Sequence, residues 1–244
     1  MSQDEHTGPA AQHADEPHSG ALPGRLNRLR AGVLGANDGI VSTAGLVVGV
    51  AGASAGSGAI FAAGVAGLVS GAVSMALGEY VSVSSQRDTE RALLAKERIE
   101  LAELPDEELD ELTALYRAKG LSAPTARLVA EELTAADAFA AHADIELHID
   151  PHALANPWHA AVASAVAFTL GSLLPLVAIL LPPPGVRVGV TFVVVLLALA
   201  LTGAVSARLG SAGVGRAMVR LVGGGALAMA VTFGIGQAVG VATG

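Results

Sequence analysis

Polar and apolar positions alternate along this chain in blocks rather than residue by residue. A helix needs about 20 apolar residues to cross a hydrocarbon core of about 30 Å. From residue 31 to 78 the only charge is Asp38, which leaves room for two such helices. The glycine- and serine-rich run Gly52-Ala-Ser-Ala-Gly-Ser-Gly58 separates them as a turn. The pattern predicts helix 1 near 30–52 and helix 2 near 58–84. Residues 160–186 are uncharged and end in Pro182-Pro-Pro-Gly185, so a third helix is predicted near 158–181. A fourth follows at 188–207 and a fifth at 221–244, the last with some residues before Arg220. The predicted fold is an all-α membrane protein of five spans, with its termini on opposite sides. Trp158 suits an anchor at the membrane–water interface.

Between helices 2 and 3 the pattern changes completely. Residues 87–104 are charged and helical in spacing, and read as a continuation of helix 2. Pro105 ends that run, and Asp106-Glu-Glu-Leu-Asp-Glu111 begins a new helix with acids in its favourable first turn. Lys119-Gly120 closes it, and Ser122 opens a third segment. Thr134 and Asp137 have capping-box spacing for a helix running to about His148. The chain thus divides into a polar tail (1–24), helices 1 and 2 (25–84), an acidic helical insert (85–156) and helices 3 to 5 (157–244). The tail has no apolar core and does not read as a signal peptide. Its His6, His13 and His18 read either as weak metal catchers or as part of a solvated segment.

Composition narrows the function classes. Fifty-two per cent of residues are hydrophobic and 30 of the 244 are glycine, whereas only 3% are aromatic, as suits membrane helices of Ala, Val, Leu and Gly. No cysteine is present, which excludes thiol chemistry and cysteine-ligated metal. The net charge of −8 offers no footprint for nucleic acid. Sixteen of the 22 acidic residues lie between 86 and 155, against seven basic ones, so the insert carries the acidity. Basic residues set the orientation. Arg25, Arg28 and Arg30, then Arg87, Arg91, Lys96 and Arg98, then Arg208, Arg216 and Arg220 flank one side, and Arg187 alone flanks the other. The N-terminus and the insert are therefore expected in the cytoplasm, the C-terminus outside, and the protein in the cell membrane.

Two acids fall inside predicted spans, Asp38 and Glu79. An Asp at a helix centre costs roughly 2.5–3.5 kcal/mol to insert, so such a residue is a functional candidate by default. Asp38 lies about 12 Å into helix 1, a depth that Met75 on antiparallel helix 2 also reaches. A carboxylate with a thioether suits Fe(II), and the oxygens of Asn37, Ser42, Ser70 and Ser74 suit Mn(II) as well. The plainer alternative makes Met75 a filler and Asp38 a partner inside the bundle. Glu79 reads either as a solvated helix end or as part of an ion entry path. Small residues at four-residue spacing (Gly35/Gly39, Gly45/Gly49, Gly67/Gly71) point to close helix packing or dimerisation.

In the insert, Glu97 with Glu100 and Glu108 with Glu111 are each spaced i, i+3, and His142 with Glu146 is spaced i, i+4. A turn at Pro105 can bring the two carboxylate pairs together. Carboxylates with one imidazole resemble the ligands of helical di-iron and di-manganese sites, although the Glu-x-x-His motif of the ferritin-like proteins is absent. The competing reading is a set of solvated helix faces, which fits Glu103, Glu107, Asp110, Glu131 and Glu132.

The run Gly35-Ala-Asn-Asp-Gly-Ile40 and the run Ser74-Met-Ala-Leu-Gly-Glu-Tyr80, together with the order of two spans, acidic insert and three spans, resemble the vacuolar iron transporter family over residues 25–240. The resemblance implies a five-span homodimer that moves Fe(II), and in some members Mn(II), out of the cytosol in exchange for protons. It implies that Asp38 and Met75 belong to a translocation site shared across the dimer interface. It also implies that Glu97, Glu100, Glu108, Glu111 and Glu146 bind metal at the cytoplasmic face. His142 and Ala143 stand where the plant member has methionines, which makes the site harder. Two membrane carboxylates of the plant member fall at Ala31 and Gly67, and Glu79 replaces a glycine. The expected function is a divalent-metal exporter working by proton antiport, not an enzyme and with no organic cofactor. Its rivals are a membrane-anchored di-iron ferroxidase and a non-transporting metal sensor; neither needs an acid in the bilayer.

Overall fold

The computed structural model describes residues 21–243 apart from 55 and 211, with side chains from residue 32 to 242. Seven α-helices make up the regular structure among these residues: α1 (Ala21–Gly52), α2 (Ser57–Glu103), α3 (Pro105–Ala118), α4 (Ala123–Ile145), α5 (Pro157–Leu180), α6 (Arg187–Leu209) and α7 (Val214–Thr243). Five of them, α1, α2, α5, α6 and α7, are long and apolar enough to cross a membrane. The chain is an all-α, multi-pass membrane protein. Residues 1–20, with His6, His13 and His18, lie outside the described residues. Helix α1 starts at Ala21, ahead of the predicted 30, with Pro23 in the first turn, where a missing N–H costs no hydrogen bond.

Helix α2 runs unbroken for 47 residues, about 70 Å at 1.5 Å per residue and more than twice the hydrocarbon thickness. Its composition passes from apolar to charged without a glycine or proline after Gly78 to interrupt it. Leu104 ends it with non-helical angles (φ −131°, ψ 47°), because the following Pro105 disfavours helix at the preceding residue. Asp106, Glu107 and Glu108 fill the first turn of α3 and Arg117 its last, each matched to the helix dipole. Gly120 then takes φ +102°, a left-handed conformation that a side chain would oppose.

Helix α4 departs from the sequence reading. It begins at Ala123 and is interrupted at Asp137, where the backbone is extended (φ −164°, ψ 93°). The capping role read for Thr134 belongs to Asp137, whose Oδ1 accepts the Ala140 N–H at 2.9 Å. Thr134 Oγ1 is buried without a partner. The helix stops at Ile145 rather than His148, which has φ +54°.

The described residues form two compact units. One comprises the chain to Gly71 and from Val166 onward. Its core gathers Ile40, Val47, Val48, Ile60, Ile179, Val195, Leu199 and Met229. Two glycine pairs bring backbones together there. A Cβ on Gly39 would meet the Phe168 carbonyl, and one on Gly171 the Ala36 carbonyl. Likewise a Cβ on Gly236 would meet the Gly49 carbonyl. The small-residue spacing is thus used for packing within the chain. Ser172 Oγ donates to the Gly39 carbonyl at 3.2 Å and Thr202 Oγ1 to Asn37 Oδ1 at 2.9 Å.

The other unit, Ala72–Ala165, holds the remainder of α2, α3, α4 and the start of α5. Leu112, Ala130 and Ile145 form its apolar core with Leu109, Leu115, Tyr116 and Ala141. Arg127 ties α4 to α3 through Asp110 and also pairs Glu131. Trp158 is exposed and packs against Tyr80, ring centroids 4.8 Å apart, as suits an interfacial pair.

Candidate metal centre

Three helices of the second unit contribute to one polar group. Glu97 comes from the charged half of α2, Glu108 from the first turn of α3, and His142 and Glu146 from the last turn and C-cap of α4. Carboxylates are rarely buried without a partner, yet Glu97 is 2% exposed and Glu108 6%, and His142 is wholly buried. One donor atom from each of the four residues lies within 4.8 Å of every other.

Three carboxylate oxygens crowd a single ring nitrogen. His142 Nδ1 is 3.0 Å from Glu97 Oε1, 3.4 Å from Glu146 Oε2 and 3.5 Å from Glu108 Oε2. One ring nitrogen bears at most one proton and satisfies one of these oxygens. Glu97 Oε1 has no aligned hydrogen bond despite its short approach, and His142 Nε2 has no partner either. A small divalent ion with donors at about 2.1 Å holds cis ligands about 3.0 Å apart and trans ligands about 4.2 Å apart. The spacings of 3.0–3.5 Å from His142 Nδ1 lie within about half an ångström of the cis value.

Electrostatics agree with a site suited to a cation. Burial, followed by the charge of Glu146, pushes the Glu97 carboxyl up to about 7, with His142 working against the rise. Burial and the neighbouring Glu111 raise Glu108 as well. Three carboxylates around one imidazole are self-repelling unless protons or a cation neutralise them. An oxygen-rich set with one imidazole suits Mn(II), Fe(II) or another borderline divalent ion.

Of the six metal candidates from the sequence, Glu97, Glu108, His142 and Glu146 come together, whereas Glu100 and Glu111 stand outside the group. Glu100 pairs with Lys96 at 2.7 Å and is partly exposed; Glu111 is exposed. Residues spaced i, i+3 differ by about 60° around a helix, so one of each pair faces the centre and the other its rim. In the spans, Asp38 is exposed on α1 of the single chain, and Ser42 Oγ donates to its backbone carbonyl at 2.6 Å. Met75 and Glu79, four apart on α2, are both partly exposed. Asn37 is engaged with Thr202. The predicted helix start at Thr134 falls three residues before the observed break at Asp137, and the contact between Arg98 and Phe139 has no counterpart in the sequence reading.

The family model described as the VIT family matches residues 29–237. The chain is 45% identical over 222 residues to "Vacuolar iron transporter" of Acanthamoeba castellanii, covering 91% of this chain and 82% of that protein. It is 38% identical over 215 residues to "Vacuolar iron transporter homolog 5" of Oryza sativa subsp. japonica, covering 88% and 81%. Against "Vacuolar iron transporter homolog 4" of Arabidopsis thaliana it is 37% identical over 217 residues, covering 88% and 86%. With its five spans, its interposed acidic helices and this similarity along nearly its whole length, the chain belongs to the VIT family.

Proposed function

We propose that this protein exports Fe(II), and Mn(II) as a second cargo, from the cytosol across the cell membrane in exchange for protons. The observation that carries this reading is the buried Glu97–Glu108–His142–Glu146 group in a chain with five spans. Residues 85–156 form the cytoplasmic collecting domain, and residues 25–84 with 157–244 form the carrier. The acidity of the insert raises the local cation concentration, and the buried group then holds the ion.

Asp38, Met75 and Glu79 form the membrane pathway in this proposal. An ionised Asp38 facing lipid costs roughly 2.5–3.5 kcal/mol, which favours a homodimer whose second copy covers it. Protonation of Asp38 from outside competes with metal for the same oxygens, and that competition is the exchange step.

Purified protein in proteoliposomes tests the proposal. Fe(II) and Mn(II) uptake is measured with and without a pH gradient, wild type beside Asp38→Ala. Uptake driven by the gradient and lost in the variant is the expected result. Uptake indifferent to the gradient removes the proton coupling. No uptake in the presence of metal-dependent binding at the insert favours a sensor, and catalytic iron oxidation favours a ferroxidase.

A further inference from the structure

The four donors account for each other's burial, but not for what keeps two of them in place. His142 and Glu146 belong to the short second segment of α4, which the extended residue Asp137 separates from the first. About two turns of helix do not hold a direction in water by themselves. Three contacts fix this segment. Asp137 Oδ1 caps it at Ala140 N–H. Ala141 and Ile145 pack on the core around Leu112 and Ala130. On a third side, the Arg98 guanidinium lies over the Phe139 ring, with Cζ 4.4 Å from the centroid.

The last contact sits where it matters for the donors. Arg98 directly follows Glu97 on α2, and Phe139 precedes His142 by three residues, so it shares that helix face. It therefore joins the two segments that carry Glu97 Oε1 and His142 Nδ1, 3.0 Å apart. We propose that Arg98 and Phe139 are positioning residues of the metal centre: their stacked contact holds the His142–Glu146 turn against Glu97. The inference rests on the metal reading of the four-donor group.

Arg98 allows a test by sign. A positive charge beside Glu97 repels a divalent cation, so an Arg98 that acted through charge alone would give tighter metal binding when neutralised. A positioning Arg98 gives weaker binding when neutralised. The experiment is an Mn(II) titration of the full chain in detergent, with Co(II) visible spectra to report the ligand set and metal-free melting to report folding. Arg98→Met and Phe139→Leu are each expected to weaken Mn(II) binding by up to about fivefold, the scale of a cation–π contact made by an exposed arginine. The double variant is expected to lose no more than either single one. Arg98→Lys and Phe139→Trp, which keep a cation over a ring, are expected to stay within about threefold of wild type. The Co(II) spectrum is expected to change in Arg98→Met and Phe139→Leu and to return in the conservative variants, a rescue that loss of folding does not produce. Binding in Arg98→Met as tight as or tighter than wild type, with Glu97→Gln still defective, overturns the positioning role alone. Mn(II) binding that Glu97→Gln leaves intact removes the metal centre and the positioning role with it.

Discussion

The insert and the spans treat their acidic residues in opposite ways. In the insert, Glu97 and Glu108 are buried in one chain, beside an imidazole and with a hydrogen-bonded helix break that brings α4 into place. In the spans, Asp38 is exposed on the single chain, and Met75 and Glu79 are partly exposed. The insert gathers its candidate ligands by folding, at the cost of a repulsion that a bound cation would relieve. The membrane acid has no such enclosure among the described residues of one chain, in keeping with the proposed role in which metal and proton reach it in turn. Separating the two regions experimentally is the way to probe this contrast.

The largest expected effect comes from Asp38→Asn. Transport should fall to background in proteoliposomes, and Mn(II) affinity at the insert should match wild type when titrated in detergent. Equal loss of both would erase the distinction between the regions. Glu97→Gln is expected to do the reverse in binding, weakening Mn(II) at the insert by about a hundredfold, at least what loss of a ligand's own support costs. The measurement is equilibrium titration of the full chain; a loss of less than about threefold would show that Glu97 is no ligand.

pH sharpens the contrast with a sign. Glu97 titrates near 7 when folded and near 4.5 when unfolded, so the folded chain binds the extra proton between those values. Metal-free stability should therefore rise as pH falls from about 7.5 toward 5, while metal affinity falls because the ion must displace that proton. Thermal melting and Mn(II) titration over this range read the two slopes, and Glu97→Gln should flatten both. Parallel slopes would contradict the assignment. The smallest effect is expected for Glu100→Gln and Glu111→Gln, which stand at the rim: a few-fold loss of Mn(II) affinity from reduced local charge, with an unchanged Co(II) spectrum.

Much of this arrangement was legible in the sequence. The spans follow from uninterrupted apolar runs, and the insert's first turn from Pro105 and the Lys119-Gly120 stop. The break in α4 was legible only to within three residues, because Thr134 and Asp137 both suit a cap, and the folded chain gives that role to Asp137. The i, i+3 carboxylate pairs were visible as pairs, but which member faces inward depends on helix rotation, which for Glu108 and Glu111 on α3 follows the packing of Leu112 with Ala130. The exposure of Asp38 depends on which face of α1 meets α5, through Gly39 and Gly171, and only the folded chain reveals that.

Pulsed EPR on the Mn(II)-loaded full chain tests most directly whether the insert holds cargo through its four donors. Nitrogen coupling to the bound Mn(II), present in wild type and absent in His142→Ala, is the expected result. Coupling that persists unchanged in His142→Ala, or no nitrogen coupling in wild type at one bound ion per chain, would contradict it.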